Sequence, residues 1–369
     1  MKGTETTTVK TVKIQAAEKR MRKKITTVLC AVLCAGMLAT GCGKEEKISY
    51  IDEGMTAIGE LRYEDALANF DQALVSGEDK RLIYRGQGLA NLGLTKYDEA
   101  VAALEKCLAS GSSVPDEMDY DVNYYLATAY YKAGRLEEAK QVYDAILALR
   151  NNAREAYFMR GIIELKMGNY ELGKPDFDKA IELAPGDYDQ IVEIYKVMDE
   201  TGYREAGRAY LETAVKDAPK DMSNYDKGRI YFYLEDFEAA RNYLEQARDA
   251  GNDKATYYLG KTWENLGEYN YAASVYISYL QDQGESALIY NQLALCNMQL
   301  EDYDAALSAL QSGLALEDTS LRQTLSFNQI VAYEKKGDFK QAAQLMSQYV
   351  KDYPDDTTAV REYEFLRSR

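Results

Sequence analysis

The sequence predicts an all-α solenoid of about nine stacked helical hairpins closed by a capping helix, and three observations predict it. A small residue recurs at Ala66, Ala100, Ala139, Gly173, Ala206, Ala240, Ala272, Ala306 and Ala342, with spacings of 34, 39, 34, 33, 34, 32, 34 and 36. Large residues flank each one: Tyr63, Tyr97, Leu136, Tyr170, Tyr203, Phe237, Tyr269, Tyr303 and Phe339 three places before, and Phe70, Leu104, Tyr143, Phe177, Tyr210, Leu244, Tyr276, Leu310 and Met346 four places after. Twelve places before the small residue stand Gly54, Gly88, Ala127, Gly161, Ile194, Gly228, Gly260, Ala294 and Ile330. The repeat covers about 310 residues, which overrides the two or three globular domains that length alone suggests.

Spacings of three and four put the aromatic, the small residue and the next large residue on one face of a helix. Two short antiparallel helices approach closely only where glycine or alanine leaves room for the facing backbone, so the residue types and their offsets fit a hairpin. Lys132-Ala133-Gly134-Arg135, Lys166-Met167-Gly168-Asn169 and Lys335-Lys336-Gly337-Asp338 supply glycines for left-handed caps between paired helices. Pro185 and Pro354 end second helices at one place in the repeat, and Pro219 falls one residue later. The stretch 109–115, rich in serine and glycine, absorbs the five extra residues of the 39-residue spacing as a longer loop. Pro175 falls inside a second helix and predicts a kink or a late helix start. Residues 357–369, with Val360, Tyr363 and Leu366, predict the helix that covers the last apolar face.

This pattern is similar to that of the tetratricopeptide repeat (TPR) family. The resemblance implies a right-handed superhelical solenoid whose first helices line a concave groove that holds protein or peptide ligands. By that analogy the candidate groove residues are Tyr124, Thr128, Tyr131, Phe158, Tyr195, Tyr225, Arg229, Phe232, Tyr257 and Lys261. Aromatic residues beside two cations suit an extended or helical peptide, including one that carries carboxylates. With 32 tyrosines in the chain, compositional bias and packing between repeats account for the same residues, and both readings stay open.

Composition narrows the function further. The net charge is −16, and without residues 1–41 it becomes −22, which argues against a nucleic-acid partner and against attachment to anionic lipid by charge alone. Histidine is absent, which removes the usual Ser/His/Asp and Cys/His nucleophile systems and the commonest metal ligand. No catalytic residue, metal site or cofactor is indicated. Of five cysteines only Cys107 and Cys296 lie in the body, and both are expected in the core, as is Trp263. Gly86-Gln87-Gly88 lacks the following lysine-serine pair of a phosphate loop and sits within a first helix.

Residues 21–41 read as a secretory leader, with Arg22, Lys23 and Lys24 before an apolar run from Ile25 to Leu38 that is too short to span a bilayer. Leu38-Ala39-Thr40-Gly41-Cys42 resembles a bacterial lipobox, with Ala39 where the family usually has leucine. That resemblance implies cleavage after Gly41 and a lipid on Cys42, and two acyl chains there anchor stably where one does not. The expected organisation is an upstream extension (1–20, with Met21 the natural start), the leader (21–41), an anchor and short linker (42–46), nine repeats (47–356) and a capping helix (357–369). The function this implies is a non-catalytic scaffold tethered to the extracytoplasmic face of the cell membrane, binding proteins or peptides and open to self-association. The other readings are an outer-membrane assembly, pilot-type or export accessory lipoprotein, and a cell-wall glycan binder.

Overall fold

The computed structural model describes residues 49–112, 114–216, 218–220, 222–316 and 319–367. The leader, the lipobox and Cys42 lie outside the described residues. Among the described residues the chain is all-helical, and no helix is long and apolar enough to cross a membrane.

Among the described residues the helices form nine hairpins and a cap. They are α1 (Tyr50–Gly59) with α2 (Tyr63–Val75), α3 (Lys80–Gly93) with α4 (Tyr97–Ala109), α5 (Glu117–Lys132) with α6 (Leu136–Leu149), and α7 (Arg154–Lys166) with α8 (Tyr170–Leu183). There follow α9 (Tyr188–Glu200) with α10 (Arg204–Lys216), α11 (Asn224–Tyr233) with α12 (Phe237–Asp249), and α13 (Lys254–Asn265) with α14 (Tyr269–Asp282). The last are α15 (Ala287–Gln299) with α16 (Tyr303–Ala315), α17 (Arg322–Lys336) with α18 (Phe339–Asp352), and the cap α19 (Thr357–Leu366). The chain divides into two compact units, one ending at Tyr210 and the other beginning at Leu211. In the N-terminal unit each of α1 to α8 packs on the next, and in the C-terminal unit each of α11 to α18 does.

A single turn geometry builds every hairpin. Five residues before each crossing residue the backbone turns left-handed, at Leu61, Thr95, Gly134, Gly168, Gly202, Glu235, Gly267, Glu301 and Gly337. The next N–H closes the first helix by bonding back five residues, as in Arg135 N to Tyr130 O (2.9 Å) and Asp338 N to Tyr333 O (2.9 Å). This satisfies carbonyls that the helix end would otherwise leave open.

Past the turn the second helix crosses the first at the small residue. Ala66, Ala100, Ala139, Ala240, Ala272, Ala306 and Ala342 are fully buried, and the large residue four places on is buried with them. A methyl group on Gly260 would lie 2.3 Å from the Tyr276 ring, so only glycine fits beneath that side chain.

The fifth hairpin departs from the expected register by one residue. Ala206 is only half-buried, while Gly207 and Leu211 are buried. Tyr203 belongs to the turn, its N–H bonding to Met198 O at 2.7 Å, and Gly202 (φ 92°) is the left-handed residue. The crossing residue is therefore Gly207, and Tyr195 occupies the place twelve before it that glycine or alanine fills in most hairpins.

Two smaller expectations are also corrected. Pro175 does not delay its helix, since α8 starts at Tyr170 and Pro175 lies exposed inside it. On α19 the buried face is carried by Ala359 and Leu366 with Tyr363 half-buried, whereas Val360 is 41% exposed. Cys107 and Cys296 are buried, and the Cys107 thiol donates to Arg81 O at 3.2 Å.

Candidate functional site

The candidate groove residues fall on first helices of both units, and each unit is described by itself. In the N-terminal unit they come from α5, α7 and α9. Tyr124 is half-buried, with its ring edge-on to the buried Tyr143 at 6.2 Å, and burial raises its hydroxyl above the ordinary tyrosine value. One turn on, the Thr128 hydroxyl donates to Tyr124 O at 2.8 Å, so its own helix uses its hydrogen. Tyr131 lies half-buried beneath the Lys166 ammonium, 5.8 Å from the ring centre. Phe158, also half-buried, packs 6.3 Å from Phe177.

Tyr195 differs from these four, being only 5% exposed. The one-residue shift of the fifth hairpin explains it, because Tyr195 takes the crossing-face place. The places in α9 that correspond to Tyr124 and Thr128 belong to Val192, which is buried, and to Lys196, which pairs with Glu193 at 3.0 Å.

In the C-terminal unit the site residues come from α11 and α13 and gather around a ring that sequence reasoning missed. Tyr258 stands 6.1 Å from Tyr225, 5.6 Å from Phe232, 6.0 Å from Tyr233 and 5.5 Å from Tyr257, in edge-to-face geometries. Edge-to-face pairs are favourable beyond the area they bury, so the cluster is a stiff aromatic surface. Arg229 is 2% exposed, stacks 5.0 Å from the Tyr225 ring and pairs with Asp226 at 3.1 Å. Burial raises the Tyr257 hydroxyl well above its ordinary value, so that residue presents a neutral phenol at any physiological pH.

Lys261 lies at the edge of this cluster, 2.5 Å from Glu264 Oε2 and 3.5 Å from Gln292 Oε1 on α15. Beyond it the first helices turn polar while remaining buried: Gln292 is 4% exposed, and Asn291 (2%) accepts a 2.7 Å hydrogen bond from the Asn328 amide on α17 (6%). The repeat register was a signal for Asn291, which stands fifteen residues before its crossing alanine, as do Tyr124 and Tyr257 in their hairpins. The arrangement offers aromatic faces, a paired ammonium and side-chain amides, which suits recognition of a polypeptide more than bond-breaking.

A cavity of about 250 Å³ lies elsewhere in the N-terminal unit, where Pro115, Tyr120 and Asn123 face Ile146 and Leu149 of α6, and it includes none of the groove residues. Among the described residues no group of three or more Cys, Asp or Glu side chains is arranged to hold a metal ion.

Sequence profiles of the tetratricopeptide repeat match residues 51–115, 225–287 and 292–357 with one form of the repeat, 92–159 with a second and 155–187 with a third. One form alone covers more than half of the chain. The chain belongs to the tetratricopeptide repeat family. Proteins of this TPR fold typically serve protein–protein interaction, and no enzymatic family is indicated.

Among curated proteins, the BBSome complex member BBS4 of Bos taurus is 24% identical over 186 residues, which is 50% of this chain and 36% of that protein's length. Among solved structures, the yeast Tom70 is similar with 14% identity, 86% of this chain and 87% of that one covered, and a TM-score of 0.48. A tetratricopeptide repeat protein from Parabacteroides merdae shows 8% identity over 69% of this chain and 98% of its own, with a TM-score of 0.46.

Proposed function

We propose that this TPR chain is a non-catalytic scaffold that binds an extended or helical segment of a partner protein on its first-helix surfaces, tethered by a lipid on Cys42 to the extracytoplasmic face of the cell membrane. The observation that carries the binding reading is the five-ring cluster of Tyr225, Phe232, Tyr233, Tyr257 and Tyr258, set beside Lys261. Rigid aromatics order little on binding, so apolar side chains of a peptide gain contact there at low entropic cost. Lys261, positioned by Glu264 and Gln292, then gives the peptide's polar groups a partner at the edge of the cluster. The tether rests on the basic start, the 14-residue apolar run and the lipobox-like Leu38-Ala39-Thr40-Gly41-Cys42.

The test uses the intact lipoprotein as bait in detergent-solubilised native membranes, with crosslinks mapped to residues. The expected outcome is a partner that crosslinks to α11 and α13 and is lost with Tyr225→Ala and Tyr257→Ala, while Tyr124→Ala and Tyr131→Ala report on the N-terminal unit. A partner whose crosslinks and yield ignore all four substitutions refutes the groove. Labelling of cells with radioactive palmitate tests the anchor separately, and a label that survives Cys42→Ala refutes it.

One observation favours a second reading, the binding of cell-wall glycan. Tyr271, 58% exposed, stacks on Trp263 at 4.9 Å and 25°, a flat exposed face of the kind on which sugar rings stack. Loss of glycan binding with Tyr271→Ala but not with Tyr225→Ala would select it.

A further inference from the structure

Glu334 and Glu264 hold the same place in their hairpins, eight residues before the crossing alanines Ala342 and Ala272. Their surroundings differ. Glu264 accepts from the Lys261 ammonium at 2.5 Å and from the Tyr276 hydroxyl at 2.6 Å. In the ninth hairpin those two partner positions are Val331 and Met346, and both donors are gone. Glu334 is half-buried, and its Oε1 is enclosed with no hydrogen-bond partner among the described residues. A half-buried carboxylate without a donor is costly, and its protonated form costs much less.

The second carboxylate in this place belongs to the cap. Ile330 and Glu334 are one turn apart on α17, and Ala359, Glu362 and Leu366 share one face of α19. Ile330, Ala359 and Leu366 belong to a single buried cluster with Ala342, Met346 and Tyr349, so docking of α19 brings Glu362 toward Glu334. Burial first, and then the Glu362 charge, push the Glu334 carboxyl up to about 7.

The other charged groups nearby are engaged or turned to solvent. On α17, Lys336 pairs with Asp304 of α16, and Lys335 is exposed. On α18, Lys340 and Lys351 are exposed, and the Tyr349 hydroxyl donates to Asp356 Oδ2 at 2.9 Å and accepts from Gln323 at 3.2 Å. On α19, Arg367 pairs with Glu364 at 3.1 Å, and Arg361 is exposed.

We infer that α19 is a pH-gated cap, held on the ninth hairpin while Glu334 carries its proton and loosened when Glu334 ionises beside Glu362. A carboxyl that is harder to ionise in the docked state stabilises docking below the undocked value, and that contribution is lost as pH rises through the docked one. The window therefore runs from about 4.5 to about 7. Undocking uncovers the apolar end formed by Ile330, Met346 and Tyr349, which α19 otherwise shields from water. The gate is independent of what the first helices bind.

The test is amide hydrogen exchange of α19 in the full chain at pH 5.5 and 8.0, corrected for intrinsic exchange rates. Protection of α19 is expected to fall roughly tenfold to a hundredfold between those values in the wild type, by the linkage above. Glu334→Gln keeps shape and removes the charge, and should leave α19 protected equally at both. Glu362→Gln should shrink the change without abolishing it, because burial remains. Wild-type protection that does not change with pH overturns the gate, and so does a change of equal size in Glu334→Gln.

Discussion

Gly207 lies against the backbone of Tyr195, so close that a methyl group on the glycine would stand 3.3 Å from the Tyr195 α-carbon and 2.9 Å from the Met198 β-carbon. This contact fixes the register of the fifth hairpin, where a large residue on the first helix faces the crossing glycine in place of the glycine or alanine found in most hairpins. Gly207→Ala is expected to destabilise the fold by about 1–3 kcal/mol, the usual cost of overpacking a tight contact. Ala206→Ser, at the half-buried neighbour, should cost under about 0.5 kcal/mol, as surface changes do. Urea titration of the two variants checks this, and equal losses would mean that the crossing residue is misplaced.

The fold was legible because the hairpin needs a small residue at every crossing, and that demand is written as a period near 34. The fifth hairpin was misread because Ala206 and Gly207 are both small, and Tyr203 imitates the aromatic that opens most second helices. Pro219 held the correcting signal. Counted from Ala206 it lies one residue late, but counted from Gly207 it lies twelve on, as Pro185 does from Gly173 and Pro354 from Ala342. The site was less legible, since the groove residues were read from helix position alone, and position does not tell how deeply a side chain sits. Arg229 reads as a groove cation and proves to be buried on Tyr225, whereas Tyr258, the hub of the aromatic cluster, has no mark in sequence beyond being one of many tyrosines.

Four of the nine turns place a non-glycine residue in the left-handed region, and Thr95 (φ 61°) is the most strained of them because its β-carbon is branched. Thr95 is exposed, so its side chain contributes little packing. Relief of about 1–2 kcal/mol of left-handed strain, set against the greater freedom of glycine in the unfolded chain, gives a net gain of about 0.5–1 kcal/mol for Thr95→Gly. The melting temperature should rise. Gly134→Thr, the reverse change at the matching turn, should lower it, and a loss in the first variant would mean the turn is not under strain.

Arg160 grips Asp176 through two hydrogen bonds of 2.7 Å each and reaches Asp144 with a third of the same length, joining α7 to α8 and α6. Asp176 is 5% exposed, so this is a largely buried pair and not a surface one. Removing Asp176 takes away two charge-assisted hydrogen bonds and leaves Arg160 only Asp144 as a partner, so Asp176→Ala is expected to cost about 2–3 kcal/mol. Replacing both partners by apolar residues of similar volume, Arg160→Met with Asp176→Leu, should recover much of that loss. Denaturant unfolding of the single and double variants measures the difference, and a double variant as unstable as Asp176→Ala would show that the pair has a role beyond mutual neutralisation.

Burial, followed by the charge of Glu264, pushes the Cys296 thiol up to about 12, and burial raises Cys107 as well. At pH 8 a thiol of that value is ionised in roughly one molecule in ten thousand, and the thiolate is the species that reacts. Both thiols are also shut off from solvent, so their alkylation must pass through opened states of the chain. Iodoacetamide at pH 8, followed by peptide mapping, is expected to leave both unmodified in native buffer for hours and to label them at rates that climb with urea as opening becomes more frequent. Because Cys107 lies in the N-terminal unit and Cys296 in the C-terminal unit, two different urea dependences would show that the units open separately, and one shared dependence that they open together. Labelling of Cys296 within minutes in native buffer would contradict its burial and, with it, the packing of α15 on which the Lys261–Gln292 edge of the proposed site depends.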